Sequence, residues 1–299
     1  MKYYGAIETG GTKTVCAIVK SNGELAVRNQ FATDNPKVTL SNALGFLREV
    51  AADYGSLEAI GVGSFGPIEL RRSSKQYGRI LRTPKPGWAG TDVPREVAKF
   101  FDLPIAIDTD VNCALLGELN WGAGQGANDL VYITVGTGVG GGILCNGRLV
   151  KGVSHPEIGH MLIPSANIDK NFVGVCPFHK SRCVEGLASG PAMSERWGVK
   201  GIDLHSNHPA WNLEAHYIAT LCANVMLTTA PEKIILGGGV MQHKPLIEKV
   251  REQLRKYISG SVELTQWNES LDDFVVSAEL GGRAGVMGAS VIAAEVAAC

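Results

Sequence analysis

Several things are missing from this sequence, and each absence removes a class of protein. No apolar run reaches about 18 residues, the least a membrane-crossing helix needs. The opening residues, Met1-Lys2-Tyr3-Tyr4-Gly5-Ala6-Ile7-Glu8, place charge too early for a secretory leader. No basic stripe is visible and the net charge is -1, so nucleic acid is not an expected partner. A Walker A sequence is absent. Cysteine is too scarce for a disulfide framework: there are seven, an odd number, in 299 residues. Five of them (Cys16, Cys113, Cys145, Cys222 and Cys299) stand alone in apolar surroundings, which fits a reducing cytoplasm.

What is present is a large apolar fraction, 45%, and 37 glycines that cluster beside apolar runs. Two such clusters resemble each other. Tyr4 to Val19 passes through Thr9-Gly10-Gly11-Thr12 and reaches a turn at Ser21-Asn22-Gly23. Leu130 to Leu144 passes through Gly136-Thr137-Gly138 and reaches a turn at Asn146-Gly147. Each reads as strand, glycine hairpin, strand, Asn-Gly turn and third strand. A repeat at this separation implies two similar α/β lobes facing each other.

Between the repeats, Leu40, Leu44, Leu47, Val50, Ala51 and Tyr54 have helical spacing. Asp92 is placed to cap a helix at Val93-Pro94. Strands are expected at 59–63, 105–107 and 233–236, and helices over 213–226, 245–258 and 285–298. The expected division is a smaller lobe over 1–118 and a larger one over 119–284. The helix near 285–299 packs back on the first. Residues 155–190, rich in His, Cys, Pro and Gly, interrupt the pattern as an inserted loop.

The glycine clusters carry the first chemical argument. A hairpin tip at Thr9-Gly10-Gly11-Thr12 presents N–H groups and hydroxyls to phosphate oxygens, and Lys13 adds charge. Gly136, Thr137 and Gly138 repeat the device. Gly238 and Gly239, after a buried strand, make a third turn suited to a nucleotide. The carboxylate Asp110 follows a strand and begins a helix, where it projects into the cleft between lobes. It is a candidate site residue; the bland alternative is that it only caps the helix. Asp108 competes for the same role. Finally, Cys176, His179 and Cys183 form Cys-x2-His-x3-Cys, and with His160 they make a closed four-ligand zinc set. Cys145 and His155 are spare candidates that the spacing does not favour. Glu157 precedes His160 by three residues and Glu185 follows Cys183 by two, so a metal there would fix both carboxylates. Trp88 and Trp121 are large aromatics that could line a binding site, but core packing explains such residues as well.

Taken together, Glu8-Thr9-Gly10-Gly11-Thr12-Lys13, Asp108-Thr109-Asp110-Val111-Asn112, Val135 to Gly142, Pro156-Glu157-Ile158-Gly159-His160 and Cys183-Val184-Glu185-Gly186 resemble the ROK family (repressors, open reading frames, kinases) in order and spacing along nearly the whole chain. The strongest likeness is to its zinc-containing bacterial fructokinases. The resemblance implies a two-lobed, duplicated actin/hexokinase-like (ribonuclease H-like) α/β fold with a zinc-binding loop. It also implies a homodimer, the substrates ATP and a hexose, and the metals Mg2+ and structural Zn2+. The expected reaction is ATP-dependent phosphorylation of D-fructose to fructose 6-phosphate, with glucose, mannose or an N-acyl hexosamine as alternatives. Asp110 takes the base role, and Glu157, His160 and Glu185 contact the sugar. Many relatives have Asp in place of Glu8, Asn in place of Thr109 and Cys in place of His179. ROK repressors carry a helix-turn-helix before the first glycine loop, which begins here at residue 9. A binding module without activity is the remaining alternative.

Overall fold

The first glycine hairpin joins β1 (Tyr3–Thr9) to β2 (Lys13–Lys20), which pair antiparallel with Ile7 opposite Cys16. The Asn22-Gly23 turn leads into β3 (Leu25–Ala32), and Gly23 takes a φ of 83°, which suits glycine there. β4 (Ala59–Ser64) and β5 (Ile105–Thr109) then add parallel strands on the far side of β1. The sheet order is β3-β2-β1-β4-β5. The second half repeats it. β6 (Leu130–Val135), β7 (Val139–Cys145), β8 (Arg148–Leu149), β9 (Lys233–Gly237) and β10 (Val275–Ser277) lie in the order β10-β9-β6-β7-β8. Here the tight turn is Asn146-Gly147, with both φ values positive. The protein is therefore an α/β molecule built from two mixed sheets of one duplicated topology.

The computed structural model describes residues 1–258 and 271–299. They form two compact units. Unit one holds Met1–Gln125, Val150–His155 and Gly282–Cys299; unit two holds Gly126–Leu149 and Pro156–Gly281. The division expected after residue 118 falls inside a helix that continues to Trp121. The short excursion at 150–155 is tied to unit one by two polar contacts. Lys151 Nζ donates to Asp108 Oδ2 at 2.5 Å, and the Ile68 N–H donates to His155 Nε2 at 3.1 Å.

Helices in unit one start where the sequence supplies caps. Asn35 accepts from the Val38 N–H ahead of α1 (Pro36–Tyr54), and Asp92 accepts from the Arg95 N–H ahead of α2 (Val93–Ala98). At α3 (Asp110–Trp121) the cap is Thr109, whose Oγ1 accepts from the Asn112 N–H. Unit two carries α4 (Val184–Ala188), α5 (Gly190–Trp197), α6 (Ala210–Thr229), α7 (Pro245–Ile258) and α8 (Leu271–Phe274). α9 (Ala284–Ala297) returns to unit one and packs on α3, β4 and β1. Ile7, Ile18, Leu40, Leu44, Leu47 and Ile60 centre the core of unit one. Val131, Ile133, Leu187, Tyr217, Leu221 and Ile234 centre that of unit two. Each such side chain contributes about 1.5–3 kcal/mol on burial. Among the described residues, no helix is long and apolar enough to cross a membrane.

Candidate functional site

In unit one, β1 and β2 lift the hairpin tip into solvent: Gly11, Thr12 and Lys13 are exposed. The carbonyls of the tip are occupied by protein donors. Gly10 O accepts from the Thr33 hydroxyl (2.8 Å), Thr12 O from the Thr33 N–H (3.0 Å) and Lys13 O from the Gly10 N–H (2.9 Å). Gly11 O accepts from Lys85 Nζ at 2.7 Å, and the same ammonium reaches Thr33 O at 3.1 Å. A phosphate approaching the tip thus meets N–H groups and the Thr12 side chain rather than bare carbonyl oxygens. Thr9 departs from its expected role. It is fully buried, and its hydroxyl donates to Ser64 Oγ at 2.7 Å, so that hydroxyl is turned away from any phosphate.

The two aspartates of the β5–α3 junction have separate duties. Asp108 is 2% exposed and fully engaged. Its Oδ1 accepts from the Thr109 N–H and Asn112 Nδ2, and its Oδ2 from Lys151. Asp110 is half-buried, and its carboxylate accepts backbone bonds alone, from the Val111 N–H at 2.9 Å and from its own N–H. Since Thr109 caps α3, Asp110 is released from that duty, and the Thr109 hydroxyl serves there as an acceptor. Desolvation pushes Asp110 up to about 6, against the lowering effect of the Val111 N–H. Desolvation first, and then the charge of Asp110, push Glu8 up to about 7, while Lys13 and Arg28 pull the other way. Glu8 thus carries a carboxylate whose ionisation is opposed by burial and by the neighbouring Asp110 charge, with Lys13 and Arg28 as its cationic neighbours.

Unit two gathers three of the expected features. Across the β6–β7 hairpin the Gly136 N–H donates to Gly138 O at 2.9 Å, and Gly136 O accepts from the Gly190 N–H at 2.7 Å where α5 begins. The third turn lies against it. Gly238 has a φ of 93°, and a β-carbon there would stand 2.3 Å from Val135 O. Glu185, in the first turn of α4, accepts from the Val139 N–H at 3.1 Å. A β-carbon on Gly138 would lie 2.6 Å from the Glu185 Oε2. The Glu185 carboxylate is therefore part of the second hairpin.

Next in unit two, His160, Cys176, His179 and Cys183 bring one donor atom each within 4.8 Å of all the others. Cys176 Sγ lies 3.8 Å from His160 Nδ1 and 3.9 Å from His179 Nδ1, and Cys183 Sγ lies 3.9 Å from His160 Nδ1. Bonds of about 2.0–2.3 Å from a tetrahedral centre demand ligand separations of this size, so the set fits zinc. The His179 and Gly186 N–H groups donate to the sulfurs of Cys176 and Cys183, as suits thiolates. His155 and Cys145 stand outside the cluster. Glu157 is exposed, and its carbonyl accepts from the His160 N–H at 2.9 Å. Trp88 is fully buried, with Nε1 donating to Asp34 O, and so is a core residue.

The family model for ROK matches residues 4–296. The chain belongs to the ROK family. It is 40% identical over 262 residues to the fructokinase of Lactococcus lactis, covering 88% of this chain and 87% of that one. With the fructokinase of Zymomonas mobilis it shares 38% over 295 residues, covering 98% and 96%. The ROK glucokinase of Streptomyces griseus, solved with glucose and AMPPNP, superposes with a TM-score of 0.80 at 24% identity over 98% of this chain and 99% of that one.

Three residues of this ROK protein that sequence reasoning passed over hold its site in shape: Thr33 and Lys85 at the first hairpin, and Lys151 on Asp108. The only signal for Lys85 is its setting in the stiff Pro84-Lys85-Pro86-Gly87 stretch, which names no partner.

Proposed function

We propose that this ROK protein transfers the terminal phosphoryl group of ATP to a hexose, turning D-fructose into fructose 6-phosphate. Identity of 38–40% to fructokinases along most of the chain carries the choice of sugar. The glycine hairpins and the Asp110 carboxylate at the start of α3 support the reaction. In unit one, Asp110 takes the proton from the attacking hydroxyl, and its elevated affinity for protons suits that task. The hairpin tip of Gly10, Gly11, Thr12 and Lys13 receives phosphate oxygens. Glu8 is the residue that would hold Mg2+, which when bound neutralises charge on the phosphates. In unit two, Gly136, Thr137 and Gly138 receive phosphate oxygens as well, and Gly238 and Gly239 take the nucleoside side. Glu157, His160 and Glu185 accept or share hydrogen bonds with sugar hydroxyls. His160, Cys176, His179 and Cys183 would hold a structural Zn2+, which fixes an irregular segment in place. We also infer a homodimer, from the family resemblance, and a cytoplasmic setting, which the five unpaired cysteines outside the zinc set support.

The test is ADP release by purified protein across a panel of hexoses and N-acyl hexosamines. The highest kcat/KM is expected with fructose. A higher value with glucose or mannose would replace the substrate and keep the reaction; no turnover with any hexose would sink it.

A further inference from the structure

Glu8 lies against the opening turn of α9 with no side chain in between. A β-carbon placed on Gly285 would stand 2.2 Å from Glu8 Cδ, 2.4 Å from Oε2 and 2.6 Å from Oε1. The whole carboxyl group therefore occupies the volume that any other residue at 285 would need. The helix cannot make room by backing away, because it is locked to its neighbours at the backbone level. A β-carbon on Gly288 would lie 1.6 Å from Cys113 O, one on Gly117 2.3 Å from Ala284 O, and one on Gly61 1.8 Å from Ala289 O. Cys113 and Gly117 belong to α3, the helix that Asp110 begins, and Gly61 belongs to β4, which pairs with β1. Of the two parties to a clash at 285, only the Glu8 side chain has freedom to move. It would have to move away from α9, in a setting where it already interacts with Asp110 and Lys13.

We propose that Gly285 is a positioning residue for phosphoryl transfer, matched to the length of Glu8. The bare first turn of α9 seats the Glu8 carboxylate at its working place beside Asp110. The inference rests on Glu8 taking part in the reaction. It goes further in making residue 285 decide where that carboxylate sits, and in tying glutamate at 8 to glycine at 285. Aspartate is shorter by one carbon–carbon bond, about 1.5 Å, and would leave the space free.

The experiment is a double-mutant cycle with Gly285→Ala, Glu8→Asp and both together, with Glu8→Gln as the control on Glu8 itself. Readouts are kcat, KM for fructose, the calorimetric Kd for a magnesium-loaded non-hydrolysable ATP analogue, and Tm. Displacement of a reacting group by about 1 Å costs on the order of 100-fold. Gly285→Ala should accordingly lower kcat by about 10- to 100-fold and weaken the magnesium-nucleotide complex, with the KM for fructose little changed. In the Glu8→Asp background the same substitution should cost less than about threefold, a coupling of the size seen between residues in contact. Equal penalties in both backgrounds, or a harmless Gly285→Ala, would overturn the pairing. If Gly285→Ala proves too unstable to assay, the cycle is read on Tm: recovery with Glu8→Asp supports the clash, and no recovery overturns it. Full activity of Glu8→Gln would instead remove Glu8 from the reaction and the inference with it. That outcome is distinct from an inactive Glu8→Gln combined with additive penalties, which would sink the pairing alone.

Discussion

The two glycine hairpins share a topology and differ in what holds them. In unit one the tip is held by side chains from elsewhere: the Thr33 hydroxyl on Gly10 O and the Lys85 ammonium on Gly11 O. In unit two the loop is held by backbone and by a carboxylate, with the Gly190 N–H on Gly136 O and Glu185 on the Val139 N–H. Duplication supplied one strand-hairpin-strand frame, and each copy found its own supports. The first copy borrows positive charge, which also favours an anion at its tip. The second shares a carboxylate that we assign to the sugar, so its loop and its sugar contact are one structure. Substitutions in the two units should therefore divide between nucleotide and sugar effects in different ways.

The largest effect is expected in unit one at Asp110. Asp110→Asn should reduce kcat by about 10²–10⁴-fold with ATP and sugar still bound, since loss of a general base costs about that much. Steady-state kinetics with calorimetric binding checks it; a variant that keeps most of its kcat would assign the base elsewhere. The pH profile gives a second check. Asp110 acts in its deprotonated form with its affinity for protons raised to about 6, and Glu8, raised to about 7, must ionise before it can hold a cation, so kcat/KM should fall as pH drops through about 7 and then 6 and level off above that range. Asp108→Asn should lower activity too, but through loss of the Lys151 and Asn112 contacts, and it should leave the position of the acid limb in place.

Glu185 tests the sharing in unit two. Glu185→Gln keeps the shape and loses the charge that strengthens bonds to hydroxyls and to the Val139 N–H. Charge-assisted bonds of roughly 1.5–3 kcal/mol make a loss of about 10- to 100-fold in kcat/KM the expected outcome. Because Glu185 also braces the second hairpin, the KM for ATP should rise along with that for sugar. Strong chelation should do the same if the zinc set fixes the segment that ends at Cys183. A sugar-only effect in both experiments would mean that the second hairpin stands without Glu185.

Much of this was legible in the sequence, for identifiable reasons. The turns that follow the two glycine hairpins announce themselves by Asn22-Gly23 and Asn146-Gly147, since such turns need local residues and nothing else. α1 and α7 follow from apolar spacing, and the four-donor cluster follows from ligand types and intervals. What escaped depended on side chains from distant positions. Lys85 meets Gly11 across 74 residues and Thr33 meets Gly10 across 23, and neither pair leaves a periodic trace. The β5–α3 junction turned on one residue: with Thr109 rather than Asp110 as the cap, the aspartate is free of that duty. Gly285 was visible only as a small residue in a small-residue helix. Its meaning needed the Glu8 carboxyl placed against it.

The finest test of the contrast is Lys85, because a loop held by a borrowed side chain should yield to one distant substitution. Lys85→Met keeps the aliphatic stem and removes both bonds, to Gly11 O and to Thr33 O. Two carbonyls would then return to solvent beside a site meant for phosphate, and the tip would lose a positive charge. Because the ammonium is exposed, the part of its bonding that survives solvent competition is modest, about 1 kcal/mol. The KM for ATP should rise by about five- to tenfold, with kcat and the KM for fructose nearly unchanged. Lys85→Arg should restore part of the loss, since a guanidinium can still donate to a carbonyl but in a fixed planar fork. Raised salt should narrow the gap between wild type and Lys85→Met, as expected when charge contributes. If Lys85→Met raises the KM for fructose and leaves ATP alone, the lysine belongs to the sugar side, and the first hairpin stands by Thr33 and its own backbone.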